Sequence, residues 1–319
     1  MPLKSLGMKL LAPAKINLHL RVGHRRSDGF HPLASWMCTV GLFDNLILEP
    51  VHIDPHAGSQ YVTLVCDRPD LAVDQTNLVV RTACGFLEAA RTANQVPATA
   101  GFHATLAKRI PMGAGLGGGS SDGARTLVGL NAHFRTDWAA NTLSAFAARF
   151  GSDMPFFIHG PSSICRGRGE HVRPIAPPRA NWAVLLLPEI MMPTALVYRR
   201  FDEMGLGNDR EVDAELDWSA STQLPAEQLL ANLVNDLEAP AFAVAPALAE
   251  LRQQAELLAS RPVRMSGSGS SLFTLFDHQT EADDAAGRLG SQLGIRALTV
   301  QLAPEIDDDL HPRKSLTEF

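Results

Sequence analysis

The segment Pro111-Met112-Gly113-Ala114-Gly115-Leu116-Gly117-Gly118-Gly119-Ser120-Ser121 packs five glycines between positions 113 and 119 and runs straight into Asp122-Gly123-Ala124-Arg125. Glycine has no Cβ, so backbone N–H groups can turn inward and approach a ligand closely. The residues after the two serines read as a helix, whose first turn adds unpaired N–H groups and the positive end of its dipole. Together these features make a cradle for an anion, and the commonest anion of that size is a nucleotide polyphosphate. A P-loop is excluded, because no Lys follows the glycines at the required spacing. Gly113, Gly115 and Gly118 meet the dinucleotide fingerprint formally, with Asp137 downstream. The preceding Thr105 to Ile110, however, is not the continuous apolar strand that such a fold requires. A plain flexible loop would need neither Pro111 stiffening its entrance nor a helix at its exit.

Four further segments carry chemistry. Pro13-Ala14-Lys15-Ile16-Asn17-Leu18 alternates, with Lys15 and Asn17 on one face and Ile16 and Leu18 on the other. Lys15 is either an edge cation on a wet face, or a compact charge for phosphoryl oxygens or a nucleophile. Asp28-Gly29-Phe30-His31-Pro32 is a turn bearing an aromatic ring and a histidine, and His31 reads first as a turn residue, second as a ligand contact. Gly151-Ser152-Asp153-Met154-Pro155-Phe156-Phe157 sets a carboxylate before an apolar segment that reads as a proline-stiffened strand. Asp153 is a turn-former or, against a low-dielectric wall and near a lysine, a general base. Finally, Met265-Ser266-Gly267-Ser268-Gly269-Ser270-Ser271-Leu272-Phe273 is a second glycine-serine loop; on its own it is an ordinary tight turn.

The elements that must position these residues follow from periodicity. Strands are predicted over 9–22, 33–49 (as two, broken at Gly41 to Asp44), 61–66 and 101–107. Helical spacing covers 77–94, with Thr76 or Asn77 as N-cap, then 120–134 and 138–149. Short strands are expected from Pro155 to Ile175. A proline-rich bend then leads to the strand Trp182 to Leu187, helices near 194–202, 225–237, 243–259 and 279–292, and strands near 271–277 and 296–302. The order is α+β, without internal repeats. Glu305 to Phe319 is charged and proline-broken and reads as a loose tail.

Composition narrows the function classes. The 319 residues are 45% hydrophobic, enough for two cores. Lys+Arg number 28 against 34 Asp+Glu, a net charge of −6 with no basic run, which argues against nucleic acid as partner. Cys38, Cys66, Cys84 and Cys165 are scattered, with neither zinc spacing nor a disulfide framework, so a reducing compartment is expected. No apolar run approaches the ~18 residues of a membrane span, and the N-terminus is not a convincing signal peptide. A cytoplasmic protein without a membrane partner is the expectation; the oligomeric state is not encoded in any of these features.

The two glycine-rich loops, the lysine-bearing first strand and the Asp-Met-Pro segment together resemble the GHMP kinase superfamily. The resemblance runs from about Ala12 to about Leu302, and the Asp28 to His31 turn with Gly151 to Phe157 points to one branch. It implies a two-domain GHMP kinase-like fold: an N-terminal ATP-binding domain over 1–172 and a smaller C-terminal α/β-plait-like domain over 173–304. It implies an ATP-dependent kinase acting on the 2-hydroxyl of a cytidine diphosphate-linked methylerythritol, in the non-mevalonate route to isoprenoid precursors. ATP would be the co-substrate, with Mg²⁺, whose ligands no carboxylate cluster marks. Residue by residue, Asp153 matches the catalytic base and Lys15 the lysine that steadies charge beside it. Pro111 to Ser121 would hold the phosphates, and Asn77, Leu78 and Lys108 match positions around the adenine. His31 matches a contact to the cytosine edge, Phe30 and Tyr198 the aromatic pair that sandwiches the base, and Asn17, Gly267 and Gly269 further substrate contacts. Phe30 stands where relatives carry Tyr, and Asp122-Gly123 replaces the more usual Asn-Ala or Asp-Ala. The alternatives are a GHMP kinase for another small alcohol, a catalytically silent nucleotide-binding sensor, and third a dehydrogenase.

Overall fold

The computed structural model describes residues 7–54 and 61–311; the last eight residues of the expected tail lie outside it. The chain builds β1 (Met8–Val22), β2 (Leu33–His52), β3 (Val62–Cys66), α1 (Leu78–Thr92), β4 (Ala100–Ala107), α2 (Gly118–Phe134), α3 (Ala140–Ala147), α4 (Met154–His159), β5 (Ser162–Gly167) and β6 (His171–Pro174). β1 runs antiparallel along one edge of β2, while the other edge is shared by β5 at residues 33–38 and β4 at residues 45–52. β3 joins β4 in parallel and β6 closes the far side of this sheet. The amphipathic helix α1 and helix α2 pack on it through Val79, Phe86, Leu127 and Leu130 against Leu46, Leu48 and Phe102.

The second half adds β7 (Trp182–Leu187), α5 (Thr194–Glu203), α6 (Asp209–Asp213), α7 (Trp218–Thr222), α8 (Ala226–Asn232), α9 (Glu238–Val244), α10 (Pro246–Ala259), β8 (Arg264–Met265), β9 (Leu272–Phe276), α11 (Gln279–Leu293) and β10 (Arg296–Gln301). Its antiparallel sheet has the order β10-β7-β9-β8. The halves are not independent. Ile16, Trp36 and Leu116 of the first share one apolar cluster with Leu185, Leu230 and Phe273 of the second. Each such side chain contributes roughly 1.5–3 kcal/mol by leaving water, so the shared cluster holds the two halves together.

Five expectations change. The predicted break at Gly41 to Asp44 is a bulge within one strand: pairing jumps from Pro13↔Phe43 to Ala14↔Val40, leaving Gly41 and Leu42 as extra residues. The segment after Asp153 is a helix, not a strand. Pro155 sits in the first turn of α4, where its missing N–H would have had no partner, and Met154, Phe156 and Phe157 are buried. The helix expected over 225–237 stops at Asn232, because the chain straightens to give Leu20 N a bond to Val234 O (2.8 Å). The helix expected over 243–259 begins at Pro246 as α10, and residues 238–244 form a separate helix, α9, that was not expected. Lastly, residues 305–311 are not loose. Asp308 is buried against Arg125 of α2 and accepts from Leu11 N (3.1 Å), while Lys9 N donates to Asp309 (2.7 Å).

His19 shows what burial costs in this fold. It is 5% exposed, meets Trp218 edge-on at 5.4 Å, and its Nε2 has no hydrogen-bond partner among the described residues. Burial, with the nearby Arg21 charge adding, lowers its pKa from 6.5 to about 4. The unfolded chain therefore takes up this proton first as pH falls, and stability is lost between about 6.5 and about 4. The loss is on the order of 3 kcal/mol. Melting curves against pH are expected to show it in wild type and not in His19→Gln; parallel curves would remove His19 as the cause.

Candidate active site

Lys15 is fixed from below by β1, whose alternation sends it and Asn17 toward the loops rather than toward Ile16 and Leu18. Its ammonium donates to Asn17 Oδ1 (2.6 Å) and to the Gly115 carbonyl (3.0 Å), and lies 3.6 Å from Asp153 Oδ2. Its side chain is 5% exposed while that of Asp153 is 33% exposed. Asn17 Nδ2 donates to Ser35 Oγ (2.8 Å), which in turn donates to the His19 carbonyl (2.8 Å). The lysine is thus the end of a chain of satisfied polar groups, a rigid mount for one positive charge.

The two glycine-rich loops meet over this mount. Ser266 Oγ donates to the Gly115 carbonyl (2.9 Å), Asn17 N donates to Ser266 Oγ (3.2 Å), and Ser271 N donates to the Ala114 carbonyl (3.1 Å). Gly115 has φ +75°, and a Cβ there would stand 2.2 Å from the Ser266 carbonyl oxygen, so only glycine allows this approach. Gly117 is left-handed at φ +69° and sets the start of α2. Asn235 Nδ2 clamps the second loop from behind, through the Met265 and Gly267 carbonyls (both 2.8 Å).

Two cavities open from this centre. The first, of about 490 Å³, is bounded by Pro111 to Ser120, by Asn77, Leu78 and Lys108, and by Lys15, Asn17 and Gly267. The second, of about 640 Å³, is bounded by Phe30, His31, Arg25, Arg168 and Asp202. Asp153, Tyr198, Leu33 and Thr194 line both. In the second cavity His31 Nδ1 donates to the Gly23 carbonyl (2.9 Å), with Nε2 3.2 Å from Asp202. Tyr198 stacks obliquely on His31 at 5.1 Å; burial, with the Asp153 charge adding, raises its phenol pKa well above the usual value. Phe30 is 48% exposed, with the Arg168 guanidinium 3.9 Å over its ring.

Most residues singled out in the sequence thus converge, and four stand differently from their expected contacts. Gly269 faces away from the cavities; a Cβ on it would strike Met265 Sδ at 2.8 Å. Ser121 is buried behind the loop. The Asn77 side chain caps α1 at Val79 N (2.9 Å) and donates to the Ala72 carbonyl (2.8 Å), so it shapes the rim. The Lys108 ammonium is turned inward, onto Asp44 and Asp122. Thr194, Asn235, Asp44 and Arg168 also take part and are not among the residues singled out in the sequence. Thr194 had a signal in its position just past Pro193, at the start of a helix; the other three find their partners only through long-range folding.

This arrangement, a glycine-rich cradle beside a lysine–carboxylate pair at the seam of two α+β halves, is that of a two-domain small-molecule kinase. Residues 77–161 match the description GHMP kinases N terminal domain and residues 221–295 match GHMP kinases C terminal. The chain belongs to the GHMP kinase family. Within it, the chain is 38% identical over 311 residues to a 4-diphosphocytidyl-2-C-methyl-D-erythritol kinase of Synechococcus sp. (strain CC9902), covering 92% of this chain and 97% of that one. It is 39% identical over 282 residues to the kinase of the same name from Thermus thermophilus, covering 88% and 92%. A crystal structure of 4-(cytidine 5'-diphospho)-2C-methyl-D-erythritol kinase superposes with a TM-score of 0.73 at 36% identity, covering 93% of this chain and all of the other. The α+β fold class and the family resemblance are borne out. Among the described residues no helix is long and apolar enough to cross a membrane.

Proposed function

We propose that the protein transfers the γ-phosphoryl group of ATP to the 2-hydroxyl of 4-diphosphocytidyl-2-C-methyl-D-erythritol, in the non-mevalonate route to isoprenoid precursors. The observation that carries this reading is that Asp153, with Lys15 3.6 Å away, lines both cavities. A hydroxyl presented from the second cavity and a γ-phosphate presented from the first would meet at its carboxylate. Asp153 takes the hydroxyl proton, the alkoxide oxygen bonds to the γ-phosphorus, and the bond to the β–γ bridging oxygen breaks to release ADP. Lys15 balances the negative charge that spreads over the transferring group. The glycine loop and the start of α2 hold the phosphates through backbone N–H groups.

Mg²⁺ fits as a passenger on ATP. Among the described residues no group of three His, Cys, Asp or Glu side chains could hold a metal ion. Mg²⁺ tolerates that, because it keeps waters and phosphate oxygens as ligands. When bound, it neutralises phosphate charge. We assign residues 1–172 to the nucleotide-binding half and 173–304 to the smaller partner.

Phe30, His31 and Tyr198 suit a flat base better than an aliphatic alcohol, which favours this acceptor over homoserine or mevalonate. Stacking on an aromatic side chain is worth ~1–3 kcal/mol per base. Tyr198→Ala is therefore expected to raise KM for the cytidine acceptor by roughly 5- to 150-fold, with KM for ATP near wild type. Steady-state kinetics with each substrate varied in turn checks this; equal rises for both would place Tyr198 outside the acceptor subsite.

A further inference from the structure

Behind the glycine-rich loop, three charged side chains meet out of water. The Lys108 ammonium donates to Asp44 Oδ2 and, at 2.8 Å, to Asp122 Oδ2; the three side chains are 4%, 0% and 4% exposed. The other oxygen of Asp44 accepts from Arg109 N (2.6 Å) and Ile110 N (2.9 Å). Asp122 lies in the first part of α2. One cluster, anchored on β2, therefore ties the residues that enter the loop to those that leave it. It also stands close behind the cradle: a Cβ on Gly118 would be 3.1 Å from Lys108 Nζ.

The charges in this cluster do not balance. With both carboxylates ionised, two negative charges face one positive charge. Burial pushes the Asp122 carboxyl up to about 7, with the Asp44 charge adding and Lys108 opposing. Burial alone would lower the Lys108 ammonium, but the charges of Asp122 and Asp44 outweigh it and leave it raised. The second oxygen of Asp122 is buried without a hydrogen-bond partner among the described residues. From β3, the Cys66 thiol feels the charges of Asp122 and Lys108; burial raises it. On the surface beyond, Asp67 pairs with Arg109 (2.7 Å) and accepts from Lys108 N (2.8 Å). The α1 and α4 side chains that flank the next residue, Gly123, are Leu78, Thr82 and Met154, which carry no charge. Bringing a polyphosphate to the loop places more negative charge next to this site, and that favours the protonated form of its one carboxyl without a full set of partners.

We propose that Asp44, Lys108 and Asp122 form a positioning device for the glycine-rich loop, and that nucleotide binding draws a proton onto it at Asp122. The proposal rests on the reading of the first cavity as the ATP site. The test is calorimetry of MgATP binding to the full chain, without acceptor, in buffers of differing ionisation enthalpy. Wild-type protein is expected to take up a proton on binding, increasingly as pH rises through about 7. Its MgATP affinity should weaken above that point by up to about tenfold per pH unit. Asp122→Asn should bind without uptake and with little pH dependence, a readout that a merely structural role would not move. Binding without proton uptake in wild type, or uptake kept in Asp122→Asn, would overturn the proposal alone. Failure of wild type to bind MgATP would overturn the nucleotide reading and the proposal with it. If Asp122→Asn does not fold, the wild-type proton count decides: a rise through the stated pH supports the proposal, and a flat count refutes it.

Discussion

Asp153→Asn is expected to lower kcat by about 10²–10⁴ while MgATP affinity stays close to wild type. The substitution keeps the shape of the side chain and removes its charge, and with it both the capacity to take a proton and the ion pair with Lys15 at 3.6 Å. Nothing in the local fold depends on that capacity: Asp153 precedes α4 without a side-chain capping bond, and its side chain is one-third exposed. The polar chain from Lys15 through Asn17 to Ser35 does not pass through it. Loss of turnover with an unchanged melting temperature would therefore report chemistry rather than folding. Single-turnover kinetics beside nucleotide binding checks this, and turnover within a few-fold of wild type would remove Asp153 as the base.

Lys15→Met should be nearly as severe, for a mixed reason. The methionine keeps an unbranched stem in a place with no spare room, where a Cβ on Gly117 would come within 3.1 Å of the lysine carbons. The positive charge beside the transferring phosphoryl group disappears, a loss comparable to removing one preorganised donor, ~10²–10³ in kcat. Asn17 Oδ1 also loses its donor in a buried setting, at ~1–3 kcal/mol of stability, while the Gly115 carbonyl keeps Ser266 Oγ as donor. Both kcat and the melting temperature should fall. That pattern distinguishes Lys15 from Asp153, and a lowered melting temperature with normal kcat would make Lys15 a structural cation only.

What the sequence made legible was local. The glycine cradle, the alternation that puts Lys15 and Asn17 on one face, and the Asn77 cap of α1 all follow from spacing over a few residues. What it concealed was long-range. The apolar run after Asp153 has no periodicity over so short a length, so strand and helix look alike, and the packing of Phe156 and Phe157 decided the matter. The turn signal at Gly41 was overridden because β1 and β2 pair on both sides of it. Lys108 finds Asp44 across 64 positions and Arg125 finds Asp308 across 183, and no pattern within a window foretells either. The tail looked loose because its composition is polar, yet Asp308 has a buried partner waiting on α2. In the second cavity, Phe30 and Tyr198 were legible as aromatics, whereas the Arg168 guanidinium resting on Phe30 was not.

The phosphoryl transfer itself is open to a coupled ADP-release assay. Purified protein, MgATP and 4-diphosphocytidyl-2-C-methyl-D-erythritol are run beside the same mixture with homoserine or mevalonate as acceptor. Rapid ADP release is expected with the cytidine compound and none above background with the other two alcohols. Release with another alcohol in its place, or silence with all three while MgATP binds, would contradict the proposed transfer.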